Sequence, residues 1–314
     1  MQPNTAAEQM SLEQGGSEMK HFGQTDARKR NESTMVNQLK SYIAHPASGL
    51  LALLTGLAAL ATFGMLLFLI LYILVKGIPY LTPSLFSLEY TSENVSLVPS
   101  LINTFIMTIV SLVIAAPLGI FAAIYLVEYA PKGNKFVKVI RITAETLSGI
   151  PSIVYGLFGM LFFVSTLKWG LSLLAGALTL VIMVLPLIMR TSEEALKAVP
   201  DSYREASFGL GAGKLRTIFT IVLPSAVPGI LAGIILAIGR VIGETAALLY
   251  TSGTVAEVPS SLMGSGRTLA LHMYVLSSEG LHMNQASATA VVILIFVFLI
   301  NTLSGMVAKK LTKN

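Results

Sequence analysis

Long apolar runs separated by short polar stretches are the feature that most constrains this chain. A membrane-spanning helix needs roughly 20 consecutive apolar residues to cross about 30 Å of hydrocarbon. About six segments meet this requirement, and we expect them to span a bilayer: 49–75, 101–129, 147–167, 170–189, 226–250 and 288–311. The sequence therefore predicts an all-α membrane protein with about six transmembrane helices.

The composition agrees with a membrane protein and narrows its chemistry. Only 12% of the 314 residues are charged, whereas a soluble domain carries about 25%. The absence of cysteine excludes a disulfide framework, a thiol nucleophile and a thiolate metal site. No paired carboxylates and no serine–histidine–acid set can be placed, and the four histidines have no ligand-like spacing. We therefore expect neither an enzyme nor a metal site.

The distribution of lysine and arginine predicts the orientation. Of the 21 Lys and Arg residues, 17 fall before the first span, after the second, after the fourth or at the C-terminus. Three fall in the remaining loops, which would lie on the opposite side of the membrane, at Lys76, Lys168 and Arg267. Loops that stay in the cytoplasm carry such an excess, so both termini are expected there. The net charge of +5 is then a property of these loops and does not indicate nucleic-acid binding.

The same pattern divides the chain into regions. Residues 1–48 are polar and lack the apolar stretch of a signal peptide, so we expect a disordered cytoplasmic tail. The other predicted regions are the first transmembrane helix 49–75, an extracytoplasmic loop 76–100, and a core membrane domain 101–311 with a cytoplasmic loop 190–225 and an outer loop 251–287. In the outer loop, the apolar stretch Arg267–Leu276 is too short to span and is expected to lie on or dip into the membrane surface.

The cytoplasmic loop carries the most specific motif. It reads Glu205-Ala206-Ser207, then Gly211, and after nine residues Ile221-Val222-Leu223-Pro224. This resembles the EAA signature of ABC importer permeases, with Ser207 in place of the second alanine. The resemblance implies a coupling helix that docks on a separate ATPase, with Tyr203, Glu205, Ala206, Ser207 and Gly211 as its coupling residues.

Helix physics supports the same interpretation. Pro200 and Asp201 are typical of a helix start, and Tyr203, Ala206 and Leu210 would form one apolar stripe. Such a helix fits a groove on a soluble partner; the alternative is an ordinary surface helix between spans. The nearby Gly213-Lys214-Leu215 is not a nucleotide-binding loop, because the required earlier glycine is Phe208 and a Ser or Thr after the lysine is missing. The chain itself is therefore expected to bind no cofactor, and ATP and Mg²⁺ would belong to the partner ATPase.

Two charged residues lie inside the fifth predicted span. Arg240 and Glu244 are four residues apart, so on a continuous helix they would share a face and could pair. Charges at this depth are expensive and usually functional. We interpret Arg240 as a donor fork for a tetrahedral oxyanion, with Glu244 balancing its charge. The alternative is a buried ion pair that only fixes helix packing.

A second candidate site lies at the start of the third span. Gly149 and Pro151 are expected to kink or restart that helix and to leave backbone N–H groups free. A helix N-terminus attracts anions, and Ser148 and Ser152 would add hydroxyl groups. The alternative is a simple kink near the end of a span.

Weaker candidates complete the set. Thr104, Thr108 and Ser111 form a hydroxyl stripe on the second span; they either line the pathway or bond their own carbonyls. Arg190 is better interpreted as a positive-inside anchor. His272 and His282 are expected to be contact residues of the outer loop.

Three passages together resemble the phosphate-specific ABC permeases over roughly residues 100–310. They are 149–156 (GIPSIVYG), 239–246 (GRVIGETA) and 117–129 (PLGIFAAIYLVEY). The segment 266–274 is more similar to the PstA type than to the PstC type. The resemblance implies a type I importer permease fold, a PstC-type partner permease, two PstB-type ATPases and a PstS-type phosphate-binding protein. A permease for sulfate or molybdate, and a phosphate-sensing membrane subunit, remain alternatives.

Overall fold

A computed structural model describes residues 46–131 and 133–312, and no strand occurs in these ranges. The described helices are α1 (Pro46–Gly77), α2 (Val98–Ile124), α3 (Lys135–Ser148), α4 (Ser152–Gly159), α5 (Leu173–Lys197), α6 (Asp201–Gly209), α7 (Lys214–Thr217), α8 (Leu223–Ile242), α9 (Ala246–Leu249), α10 (Leu269–Glu279) and α11 (Met283–Thr312). Wider π-helical turns extend α2 to Tyr129 and α4 to Thr166 and join α7 to α8. Nearly all of the predicted tail 1–48 lies outside the described residues.

Five helical segments are long and apolar enough to cross a membrane. They are 47–80, 98–129, 173–197, 214–242 and 283–306. A sixth crossing is available if α3 and α4, which meet at an angle of 102°, count as one broken span. The predicted all-α fold with about six spans is therefore confirmed.

Among the described residues, 46–71 belong to one unit and those from Tyr72 onward to a second. The part of α1 in the first unit carries no charge, and its large apolar side chains, such as Leu60 and Phe63, are exposed. An all-round apolar helix of this kind belongs in lipid or against another protein.

The second unit is built around α2, α5 and α8. Their facing side chains form an apolar core that includes Ala115, Leu180, Ile188 and Ala237. Small residues allow the helices to approach closely: a Cβ at Gly233 would collide with the side chain of Thr191. Glycines of α8 therefore pack within this chain, against α5.

Three predicted boundaries differ from the structure. The expected third span, 147–167, is not one helix, because the chain breaks at 149–151 and restarts at Ser152. The fifth span begins at Lys214 instead of 226 and ends at Ile242 instead of 250. Consequently the predicted cytoplasmic loop 190–225 is mostly helical, since α5 continues to Lys197.

The outer-loop helix is buried within the chain. The sequence predicted a helix over 267–276 that lies on or dips into the membrane surface, and the corresponding helix α10 packs against α2 and α11. Leu269, Leu271, His272 and Leu276 are completely buried. Hydropathy of an eleven-residue helix does not distinguish lipid from a protein interior, so the sequence alone left this undecided.

Candidate functional site

The predicted coupling helix is α6. It begins at Asp201, directly after Pro200, and ends at Gly209. Gly211 then adopts a φ of +81°, and its N–H donates to the carbonyl of Phe208 at 2.9 Å. A side chain at position 211 would strain this left-handed conformation.

One face of α6 holds the loop together and the other is open. Ser207 is buried, and its hydroxyl shares a 2.8 Å hydrogen bond with that of Thr217. Tyr203, Glu205 and Ala206 are exposed, and Leu210 is 90% exposed. Beside them lies a groove of about 510 Å³ whose walls include Tyr203, Ala206, Leu210 and Gly211. The wall of the groove is largely apolar and adjoins the exposed face of α6.

Sequence reasoning missed two residues at this loop, Arg204 and Glu128. The guanidinium of Arg204 donates to Glu128 Oε1 from Nη2 at 2.8 Å and from Nε at 3.1 Å. Both side chains are largely buried, with 14% and 9% of their surfaces exposed. The two residues are 76 positions apart, so no local spacing could have connected them.

The predicted pairing of Arg240 with Glu244 is wrong. Helix α8 ends at Ile242, so Glu244 lies beyond the helix that carries Arg240. Glu244 Oε1 instead accepts hydrogen bonds from the N–H groups of Thr245 at 3.2 Å and Ala247 at 3.1 Å. The carboxylate therefore caps the first turn of α9, where a negative charge is favourable.

Arg240 is left without an acidic partner among the described residues. Its side chain is half-buried and lines an open groove of about 530 Å³. Leu187 of α5, Leu236 of α8 and Asn301 of α11 also line this groove, and Asn301 supplies its other polar side chain. A guanidinium held in an apolar groove without a counter-charge is a strong attractor for an anion.

The two passages that the sequence singled out lie against each other. Gly156 of α4 abuts Ala247 of α9, where a Cβ on the glycine would stand 2.7 Å from Ala247 Cα. The Tyr155 hydroxyl donates to the carbonyl of Leu147 at 2.7 Å and ties α4 back to α3. Ser152 is the first residue of α4, whereas the Ser148 hydroxyl donates to the Ala144 carbonyl at 2.9 Å. Of the two serines, Ser152 alone keeps the predicted place at a helix N-terminus.

The hydroxyl stripe on α2 is buried and does not line an open pathway in this chain. The hydroxyl of Thr104 donates to the Ser100 carbonyl at 2.7 Å and accepts from the Leu269 N–H at 2.8 Å. Thr108 donates to the Thr104 carbonyl at 2.7 Å. Ser111 reaches across to the Ala177 carbonyl of α5 at 3.2 Å. The alternative, bonding carbonyls of their own helix, describes Thr104 and Thr108, whereas Ser111 bonds a carbonyl of α5.

A buried polar cluster surrounds the start of α10. Arg267 is 4% exposed, and its guanidinium lies 4.8 Å from the ring centroid of Tyr90. The same ring makes an edge contact with His272, with centroids 6.2 Å apart. Burial, with a smaller contribution from the charge of Arg267, lowers the pKa of His272 to about 3, although the backbone of Val95 opposes the shift. His272 is thus a neutral interior residue, and the contact that it makes is with the Tyr90 ring.

In the residues that the structure describes, an all-helical fold with five or six membrane-spanning segments carries a short exposed helix between two spans and an arginine without an acidic partner, which is typical of a transporter's membrane subunit. The chain belongs to the family of binding-protein-dependent transport system inner membrane components, whose model matches residues 115–313. It is therefore a multi-pass protein of the cell membrane.

Individual relatives agree with this family. The probable ABC transporter permease YqgI of Bacillus subtilis is 34% identical over 286 residues, which cover 82% of this chain and 95% of YqgI. The phosphate transport system permease protein PstA of Pasteurella multocida is 37% identical over 257 residues, which cover 79% of this chain and 91% of that protein. In fold, the chain is similar to a bacterial ABC transporter that imports alginate, with a TM-score of 0.56, 15% identity, and coverage of 80% of this chain and 96% of that one.

Proposed function

We propose that this chain is a PstA-type permease subunit of an ATP-driven phosphate importer. The relatives named PstA support the choice of phosphate, and the family supports the role of a membrane subunit. The observation that carries the proposal is Arg240, a guanidinium that lines an open groove without an acidic partner among the described residues.

The chemistry of Arg240 suits this cargo. A planar guanidinium offers paired donors to two oxygens of a phosphate, and it stays charged at every physiological pH. An anion that enters the groove exchanges its hydrating water for these donors. A transient anion site would therefore need no second cation from this chain. Sulfate has the same shape, and selectivity would then depend on whether a neighbouring group accepts the proton that phosphate carries at neutral pH.

The remaining parts of the importer would be separate chains. We propose a PstC-type permease as the other half of the pathway, two PstB-type ATPases, one of which docks at the groove beside α6, and a PstS-type binding protein on the opposite side. The chain would then hydrolyse no ATP itself. Both termini and the coupling loop would face the cytoplasm, as the distribution of Lys and Arg predicts.

The test is ATP-driven uptake by the purified complex. The chain would be coexpressed with candidate partner permease, ATPase and binding protein, reconstituted in proteoliposomes, and supplied with radiolabelled phosphate. We expect ATP-dependent accumulation that excess unlabelled phosphate abolishes and excess sulfate or molybdate leaves unchanged. Competition by sulfate or molybdate at equal concentration would assign the chain to another oxyanion, and phosphate-dependent signalling without any uptake would indicate a sensor.

A further inference from the structure

The coupling helix must be held firmly if a movement of the ATPase is to reach the spans. Helix α6 has only nine residues, and Tyr203 and Leu210 on its outer face are exposed. A helix this short has little stability of its own. Its position therefore depends on the contacts that it makes with the rest of the chain.

Arg204 makes most of the polar contacts that anchor α6. Besides Glu128, it donates from Nη1 to the carbonyl of Val199 at 2.8 Å and from Nη2 to that of Leu196 at 3.0 Å. Those two carbonyls lie at and just beyond the end of α5, where helical carbonyls lack intrahelical partners. A fourth contact, to Asp201 Oδ1 at 3.2 Å, lies within the coupling helix itself. One side chain thus connects α6 to the ends of both α2 and α5.

The end of α2 also holds the other side of the coupling loop. Lys214, the first residue of α7, lies over the ring of Tyr129 with its Nζ 4.8 Å from the centroid. Tyr129 directly follows Glu128 in the chain. Consecutive residues at the end of α2 therefore contact the loop on both sides of its turn, one through Arg204 and one through Lys214.

Helix α2 continues to the opposite end of the molecule. With its extension to Tyr129 it has 32 residues, which at 1.5 Å per residue is about 48 Å of helix. Near its first turn, the Thr104 hydroxyl accepts the N–H of Leu269, the first residue of the outer-loop helix α10. A single helix thus joins the coupling loop to the buried cluster on the other side.

We propose that the Arg204–Glu128 pair is the positioning link through which movement of the coupling helix is transmitted to α2. This inference rests on the proposed function, in which α6 docks on an ATPase. Arg204 touches neither the cargo nor the nucleotide; it keeps α6 and α2 moving as one body. The planar fork is required, because lysine cannot reach Glu128 and two backbone carbonyls at once. Without the pair, ATP hydrolysis should therefore continue, but less transport should result from each ATP hydrolysed.

The experiment measures phosphate imported per ATP hydrolysed by the complete reconstituted complex. We expect Arg204→Lys and Glu128→Gln to assemble, to keep ATP hydrolysis within about twofold, and to lower the import per ATP by about tenfold. The KM for phosphate should not change. Glu128→Ala should be worse than Glu128→Gln, because the amide oxygen can still accept both N–H groups that Oε1 accepts and only the negative charge is lost.

The matched control is Arg190→Gln. Arg190 also pairs with carboxylates on the same side of the molecule, Glu194 at 3.2 Å and Glu145 at 3.8 Å, but it is 54% exposed. Exposed pairs contribute little, so import per ATP should remain at the wild-type value. Wild-type coupling in Arg204→Lys would overturn the inference, and so would failure of both Arg204→Lys and Glu128→Gln to assemble, since the pair would then serve folding alone.

The two proposals fail in different ways. If the wild-type complex hydrolyses ATP and imports an anion other than phosphate, the proposed cargo is wrong. The number of anions imported per ATP hydrolysed is then measured with that anion. If the wild type imports phosphate and the Arg204 and Glu128 variants keep its coupling, the link alone is wrong.

Discussion

Arg240 and Glu244 are four residues apart in sequence, yet they do not form an ion pair. The helix that carries Arg240 ends at Ile242, and the Glu244 carboxylate caps the next short helix through the N–H groups of Thr245 and Ala247. Each charge therefore has its own role. The carboxylate stabilises a helix start, and the guanidinium stays available in a groove.

The first prediction concerns Arg240. No carboxylate among the described residues pairs with Arg240. Arg240→Gln therefore strands no buried negative charge, and the complex should assemble at the wild-type yield. Uptake of phosphate should fall at least tenfold, because the donor fork is gone. Arg240→Lys should recover part of the uptake, since it keeps the charge and loses the fork. Complex yield and uptake would be measured side by side, and normal uptake in Arg240→Gln would rule out a role in the pathway.

The second prediction concerns Glu244. Removing a helix cap costs about 1 kcal/mol, so Glu244→Ala should lower the stability of the complex modestly. Glu244→Gln should be milder, because its amide oxygen can accept the same N–H groups. Neither variant should change the KM for phosphate. A Glu244→Gln complex that assembles fully but transports nothing would show that the carboxylate itself meets the cargo.

Residues with local signals were predicted well from the sequence, and residues with distant partners were not. Apolar runs located the spans, Pro151 located the restart of α4, and Gly211 marked the turn after the coupling helix. The spacing of Arg240 and Glu244 was misleading because it assumed a continuous helix, whereas Gly243 ends α8. The pairing of Arg204 with Glu128 left no sequence signal, because it depends on how two helices meet in three dimensions.

The turn after the coupling helix provides the third prediction. Gly211 has a φ of +81°, which a β-branched residue rarely adopts. Gly211→Val should therefore displace α6 and reduce ATP-driven uptake several-fold, while insertion into the membrane remains normal. Gly213→Ala is the control, because the φ of Gly213 is −74° and no atom would contact the added methyl group. Equal uptake in the two variants would contradict this account of the loop.

The fourth prediction concerns the contact between α4 and α9. A Cβ at Gly156 would stand 2.7 Å from Ala247 Cα, and backbone on both sides prevents an easy adjustment. Gly156→Val should therefore separate the two segments and lower both thermal stability and uptake. Gly64→Val on α1 is a suitable comparison, since open space surrounds that glycine within the described residues. A stable, active Gly156→Val complex would show that this contact is dispensable.

The last prediction is a pH dependence that arises from His272. Its pKa in the folded chain is about 3, whereas an unfolded histidine has a pKa of about 6.5. Below pH 6.5 the unfolded chain binds a proton that the folded chain does not, so the free energy of unfolding falls as the pH falls, until about pH 3. Between pH 7 and pH 5 this loss of unfolding free energy amounts to about 2 kcal/mol.

Thermal unfolding of the purified chain in detergent, measured across that range, should show this loss in the wild type and less of it in His272→Gln. His282→Gln, at a partly exposed position, should behave like the wild type. A His272→Gln variant that keeps the full pH dependence would mean that burial and the charge of Arg267 do not hold the imidazole neutral in the folded protein.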